Sequence, residues 1–258
     1  RLHRLSSLQG TKNIVEMLHR QGRMHPSICE FVNRNYYNGG LDAVPLPHQQ
    51  EPLAFGTRPD DDRWTAFVAG TRMAFISVQA DEAEYYTKIE SKQEQTKLAQ
   101  GLPNVGDSSK SNKREAETVA RLIHTLCQLY SRSGIPFSPC KQIGIIVPFR
   151  AQIAMIRKAL AERHIPDTAD ITIDTVERYQ GSQRDIIIFS TTVSRPYQLS
   201  ILSEPVMTDG REIDRKLNVA LTRARKQFFM TGNETLLRNC TAYRKFLDFL
   251  SKEQILRL

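Results

Sequence analysis

Two arginines at i and i+2, Arg223 and Arg225, close the stretch Lys216-Leu217-Asn218-Val219-Ala220-Leu221-Thr222-Arg223-Ala224-Arg225. The apolar run Gln227-Phe228-Phe229-Met230 follows directly. A guanidinium stays charged at any working pH and offers a planar fork of donors. It is the side chain that neutralises phosphate oxygens during phosphoryl transfer. A cation pair at the end of a helical pattern can also do no more than complement the negative end of the helix dipole. Taken alone, the pair favours that second reading. Three further stretches carry polar and cationic residues of the same kind. They are Gln21-Gly22-Arg23-Met24-His25-Pro26, Ile146-Val147-Pro148-Phe149-Arg150-Ala151-Gln152, and Thr175-Val176-Glu177-Arg178-Tyr179-Gln180-Gly181-Ser182-Gln183-Arg184-Asp185.

The elements that must hold these stretches follow from apolar spacing. Ile143–Val147 is a continuous apolar run, the pattern of a strand buried on both faces of a parallel sheet. Residues 73–78, 171–176, 185–190 and 228–230 read as further strands. Pro26 suits the first turn of a helix whose face is Ile28, Phe31 and Val32. Asn112-Lys113-Arg114-Glu115 reads as a capping box opening a helix with Val119, Leu122, Ile123, Leu126, Leu129 and Tyr130 on one side. Ile153, Ile156 and Leu160 mark another helix, and 234–239 and 242–251 close the chain with two more. Helical spacing also runs through residues 1–20. Residues 42–72, with Pro45, Pro47, Pro52, Pro59 and Asp60-Asp61-Asp62, read as an irregular connection with room for a short strand and the acidic run as a solvated turn. Residues 88–112 read as a mobile loop or insertion. Alternating strands and helices imply an α/β fold with a mostly parallel central sheet and right-handed crossovers.

The chain has 258 residues and a net charge of +8, which permits a polyanionic partner without requiring one. Cys29, Cys127, Cys140 and Cys240 form no CxxC pair, so neither zinc-ligand spacing nor a redox motif is supported. Reduced thiols of a cytoplasmic or nuclear protein are expected. No apolar run approaches the ~20 residues that span a bilayer, which argues against a membrane role. The start at Arg1, with no initiator Met, reads as a piece of a longer polypeptide.

Taken in order, the four stretches resemble the second RecA-like domain of superfamily 1 helicases, closest to the branch of RNA-decay and nuclease-helicase ATPases that move 5′ to 3′. The resemblance covers most of residues 12–240. It makes 1–258 a single RecA-like domain, with residues 1–41 a helical entry carrying the QGRMHP motif. It implies ATP with Mg2+ bound between this domain and an N-terminal RecA-like domain of the same polypeptide, which holds the metal. No GxxxxGK[ST] stretch is present here, so the chain implies a half-site. By the resemblance, Arg23 and Arg223 are catalytic arginine fingers, and Gly181 and Gln183 line the nucleotide with them. Single-stranded DNA or RNA is implied at Pro148, Arg150, Thr175 and Tyr179, with Arg178 and Arg184 adding charge. Core packing competes for Phe149 and Tyr179, and a structural hydrogen bond is expected of His25. Two departures stand out. Gly22 takes the place of an aromatic that packs on the base, and Gln183 that of a Glu that meets the ribose. They leave open a second reading, a nucleic-acid-binding module without motor activity. A third, a RecA-like domain used for protein interaction, is also open.

Overall fold

The computed structural model describes residues 19–78, 110–179, 181–208 and 210–258. The helical spacing of residues 1–18 and most of the 88–112 insertion lie outside the described residues.

In chain order, β1 (Arg20–Gln21) leads into α1 (Pro26–Tyr36), then β2 (Asp42–Ala43), α2 (Pro47–Gln50), α3 (Arg63–Gly70) and β3 (Met73–Ser77). After the gap come α4 (Lys113–Arg132), α5 (Pro139–Gln142), β4 (Ile143–Val147), α6 (Arg150–Glu162), β5 (Thr172–Thr175) and β6 (Arg184–Ser190). The chain continues through α7 (Leu199–Leu202), β7 (Pro205–Thr208), β8 (Arg211–Asp214), α8 (Arg215–Leu221) and β9 (Ala224–Gly232). It ends with α9 (Glu234–Leu237), α10 (Thr241–Phe249) and β10 (Ile255–Arg257).

Six strands form one sheet in the order β10-β3-β9-β6-β4-β5, and every pairing is parallel. The pleat sends alternate side chains to opposite faces. Ile186 and Ile188 of β6, with Phe229 of β9, join a core under α3, α4 and α6. Ile187, Phe189, Phe228 and Met230 point the other way, against α1, α8 and α10. The central strands are apolar on both sides because helices cover both faces. This is a three-layer α/β fold of the RecA-like kind.

The expected strands all form. β9 starts earlier than the apolar run suggested, so Arg225 and Lys226 belong to the strand and not to a helix end. Residues 42–72 differ from expectation more strongly, because they hold α2 and α3. The acidic run is built into this part. Asp62 caps α3 by accepting from Thr65 N at 2.6 Å, and Asp61 accepts from Arg58 N at 2.8 Å while pairing with Arg132. A cap of this type is worth about 1 kcal/mol. The hairpin β7–β8 and the edge strand β10, paired with β3, carried no periodic signal in the sequence.

The capping box at Asn112 is half realised. Asn112 Oδ1 accepts from Glu115 N at 3.0 Å as expected. The Glu115 carboxylate is fully buried and accepts from Ser190 Oγ, Thr192 N and Thr231 Oγ1 at 2.8, 3.0 and 3.1 Å. Gln152 Oε1 takes over the Asn112 backbone N–H at 2.7 Å. The carboxylate therefore ties α4 to the C-terminal ends of β6 and β9. Burial raises the Glu115 carboxyl to about 7 despite those donors.

Candidate nucleotide and nucleic-acid sites

Three segments distant in sequence meet at the N-terminal ends of β6 and β9. Arg184 N donates to Arg223 O at 3.1 Å, which places the residues before β6 beside the end of α8. Arg23 Nε donates to Gln183 Oε1 at 2.9 Å, and its Nη1 donates to Thr222 O at 3.0 Å. Arg223 Nε donates to Val219 O at 3.2 Å, and its Nη1 donates to Ser182 O at 3.4 Å. Arg23, Gln183 and Arg223 thus form one cluster. Gly181 lies two residues before Gln183 at φ 84°, a turn that glycine makes without strain.

Among the described residues neither Arg23 nor Arg223 forms an ion pair. Arg225, the other half of the opening arginine pair, does form one, with Asp185 at 3.1 Å. Arg223 is half-buried, and that burial, followed by the repulsion of Arg23, lowers its pKa. Two adjacent guanidiniums bonded only to carbonyl and amide oxygens keep their charge uncompensated. Such a pair fits the oxygens of a polyphosphate and resists a neutral ligand.

Of the residues expected to hold nucleic acid, Pro148, Arg150 and Thr175 stand at the opposite edge, at the C-terminal ends of β4 and β5. A seven-residue strand such as β6 separates the two edges by ~20 Å. Arg150 is exposed at the first turn of α6, and Pro148 is half-exposed just before it. Thr175 is half-buried, and, two residues on, the Glu177 carboxylate pairs with Lys216 at 3.2 Å. Tyr179 corrects the expectation. It is 1% exposed, and its ring fills the space over Gly144, where a Cβ would lie 1.8 Å from the Tyr179 hydroxyl oxygen. No face of that ring is open to a base. Arg184 is likewise held along the sheet, donating from Nη2 to Thr172 Oγ1 at 3.0 Å. Among the described residues no cluster of His, Cys, Asp or Glu could hold a metal ion, and no helix is long and apolar enough to cross a membrane.

The sequence matches the AAA domain family over residues 1–235. The chain belongs to that family, as the C-terminal domain of a superfamily 1 helicase. It is 29% identical over 234 residues to the DNA polymerase alpha-associated DNA helicase A of Saccharomyces cerevisiae, an alignment covering 89% of this chain and 29% of that protein. It is 32% identical over 155 residues to the putative helicase MOV-10 of Gallus gallus, covering 55% of this chain and 15% of that protein. It is 28% identical over 222 residues to the regulator of nonsense transcripts 1 homolog of Arabidopsis thaliana, covering 84% and 14%. The chain thus spans less than a third of the length of each.

In this helicase domain the loop carrying Arg23 is fixed from within by Gln21 and His25 and from outside by His48 and Gln49, which the sequence did not single out. Gln21 Oε1 accepts from the backbone N–H of Arg23 and Met24 at 3.0 and 2.8 Å. From α2, His48 Nε2 bonds Arg23 O at 2.9 Å, and Gln49 Nε2 donates to Gln21 O and Met24 O at 3.1 and 2.8 Å. His25 N donates to Arg225 O at 2.9 Å, anchoring the loop to β9. His25 Nδ1 accepts from Ser27 N at 3.2 Å, the structural hydrogen bond expected of it. Burial, then the charges of Arg72 and His48, lowers the His25 pKa to about 4, so the ring is neutral at pH 7. Gln21 and His25, inside the QGRMHP stretch, carried a signal. His48 and Gln49 lie in a proline-rich connection with no periodicity.

Proposed function

We propose that this helicase domain is the arginine-supplying half of an ATP-driven helicase or translocase. The observation that carries the reading is that Arg23 and Arg223 lie side by side with no carboxylate partner among the described residues. ATP with Mg2+, gripped by an N-terminal RecA-like domain of the same polypeptide, supplies the phosphoryl group whose transfer to water drives the motor. Arg23 and Arg223 hold the terminal phosphate from this side, and Gly181 and Gln183 border the ribose. Fixed donors aimed at developing negative charge stabilise the transition state without reorganising. Single-stranded nucleic acid lies along Pro148, Arg150 and Thr175 at the other edge. Residues 176–179 lead back from Thr175 and residues 181–183 border the arginines, so a shift at the phosphates reaches Thr175 when the two domains open and close.

The test is Arg223→Ala in the full-length protein. Nucleic-acid-stimulated ATP hydrolysis is expected to fall about 10³-fold. Turnover near that of the wild type overturns the assignment. Gly22 and Gln183 support the alternative, a nucleic-acid-binding module without motor activity. Tight binding of single strands with no hydrolysis by the intact protein selects it.

A further inference from the structure

Gly22 precedes Arg23 and is exposed. A Cβ built on it would lie 3.1 Å from Leu46 Cδ1, so Leu46 occupies the space into which a side chain at position 22 would grow. Leu46 is 38% exposed, although large aliphatic side chains in this fold are mostly buried. Its place is fixed. Leu46 N donates to Val44 O at 2.6 Å and to Gln49 Oε1 at 3.3 Å. Pro45 and Pro47 restrict the backbone on either side. Gln49 also donates to the carbonyls of Gln21 and Met24, so one side chain sets the position of Leu46 and of the Arg23 loop together.

A partly exposed aliphatic side chain against Gly22, one residue before an arginine that has no ion-pair partner among the described residues, matches a ligand with an apolar end and a polyanionic end. A nucleoside triphosphate has both. We propose that Leu46 is the nucleobase contact of this domain, reaching the base from the turn before α2 in place of a side chain at position 22. The assignment rests on the nucleotide reading above and extends it to the base. An aliphatic contact grips a ring by area and offers no hydrogen bond, so it distinguishes poorly among bases.

The experiment uses the full-length protein with ATP and, as a base-free competitor, inorganic tripolyphosphate. Leu46→Ala is expected to raise the KM for ATP about fivefold, with kcat unchanged. The inhibition constant of tripolyphosphate stays at the wild-type value, because that competitor has no base to lose. Gly22→Tyr placed on Leu46→Ala returns the KM toward wild type, the ring entering the vacated space. An unaltered KM in Leu46→Ala overturns the proposal. So does a tripolyphosphate constant that weakens in step with KM, since Leu46 would then only support the Arg23 loop. Arg223→Ala is measured in parallel. Loss of turnover there, with no effect of Leu46→Ala, removes the base contact and leaves the phosphate reading standing. Unaltered turnover in Arg223→Ala removes the phosphate reading itself.

Discussion

Arg23 donates through Nη1 to the carbonyl of Thr222 at 3.0 Å, and so stands beside Arg223 across the gap between two separate segments. The like charges are held close by backbone oxygens, with no carboxylate between them among the described residues. Both should serve one bound anion and act as a unit. Arg23→Ala and Arg223→Ala are each expected to lower stimulated ATP hydrolysis by about 10³-fold, and the double variant by little more. Steady-state phosphate release at saturating single-stranded nucleic acid checks this. Losses that multiply would show that the two act separately.

Arg150 is exposed at the C-terminal edge of the sheet, where a strand backbone is expected to run. Arg150→Ala should weaken single-strand binding about equally for all sequences. It should also flatten the slope of log affinity against log salt by about one. Fluorescence anisotropy across a salt series measures both. An unchanged slope would take Arg150 off the path.

Tyr179 belongs to the core, and its buried hydroxyl has no hydrogen-bond partner among the described residues. Tyr179→Phe should leave nucleic-acid affinity unaltered and cost no stability, with a gain of up to ~1 kcal/mol. Gly144→Ala should destabilise the fold by about 3 kcal/mol, because its methyl would enter the Tyr179 ring. Urea unfolding of both variants provides the comparison.

Glu115 gives stability a pH dependence of known sign. Its carboxyl rises from the ordinary 4.5 to about 7 on folding, so the folded chain holds a proton that the unfolded chain gives up. The stabilising contribution is complete below about 4.5 and is lost as pH rises toward about 7. Glu115→Gln should remove that part of the decline while keeping an acceptor for Ser190, Thr192 and Thr231. Glu115→Ala leaves those donors unpaired and should cost about 3 kcal/mol at pH 4.5 and less as pH rises toward 7. Thermal unfolding between pH 4.5 and 8 separates the variants, and an unchanged slope in Glu115→Gln would assign it to other groups.

The sequence alone determined the layers of this fold. Apolar runs such as Ile143–Val147 and helical faces such as Val119, Leu122, Ile123 and Leu126 are local patterns, and burial on a sheet or under a helix demands them. It also pointed, by the wording of its motifs, to Arg23, Gln183 and Arg223. Tertiary structure decided what those patterns could not hold. The motif left Tyr179 between nucleic acid and the core, and it is buried because Gly144 on a neighbouring strand leaves room for its ring. Glu115 looked like a cap, yet its carboxylate turns inward to donors on β6 and β9. His48, Gln49 and Leu46 carried no periodicity, yet they frame the Arg23 loop. Each of these roles is a contact between residues far apart in the chain, and local spacing carries no record of which distant partner a side chain will meet.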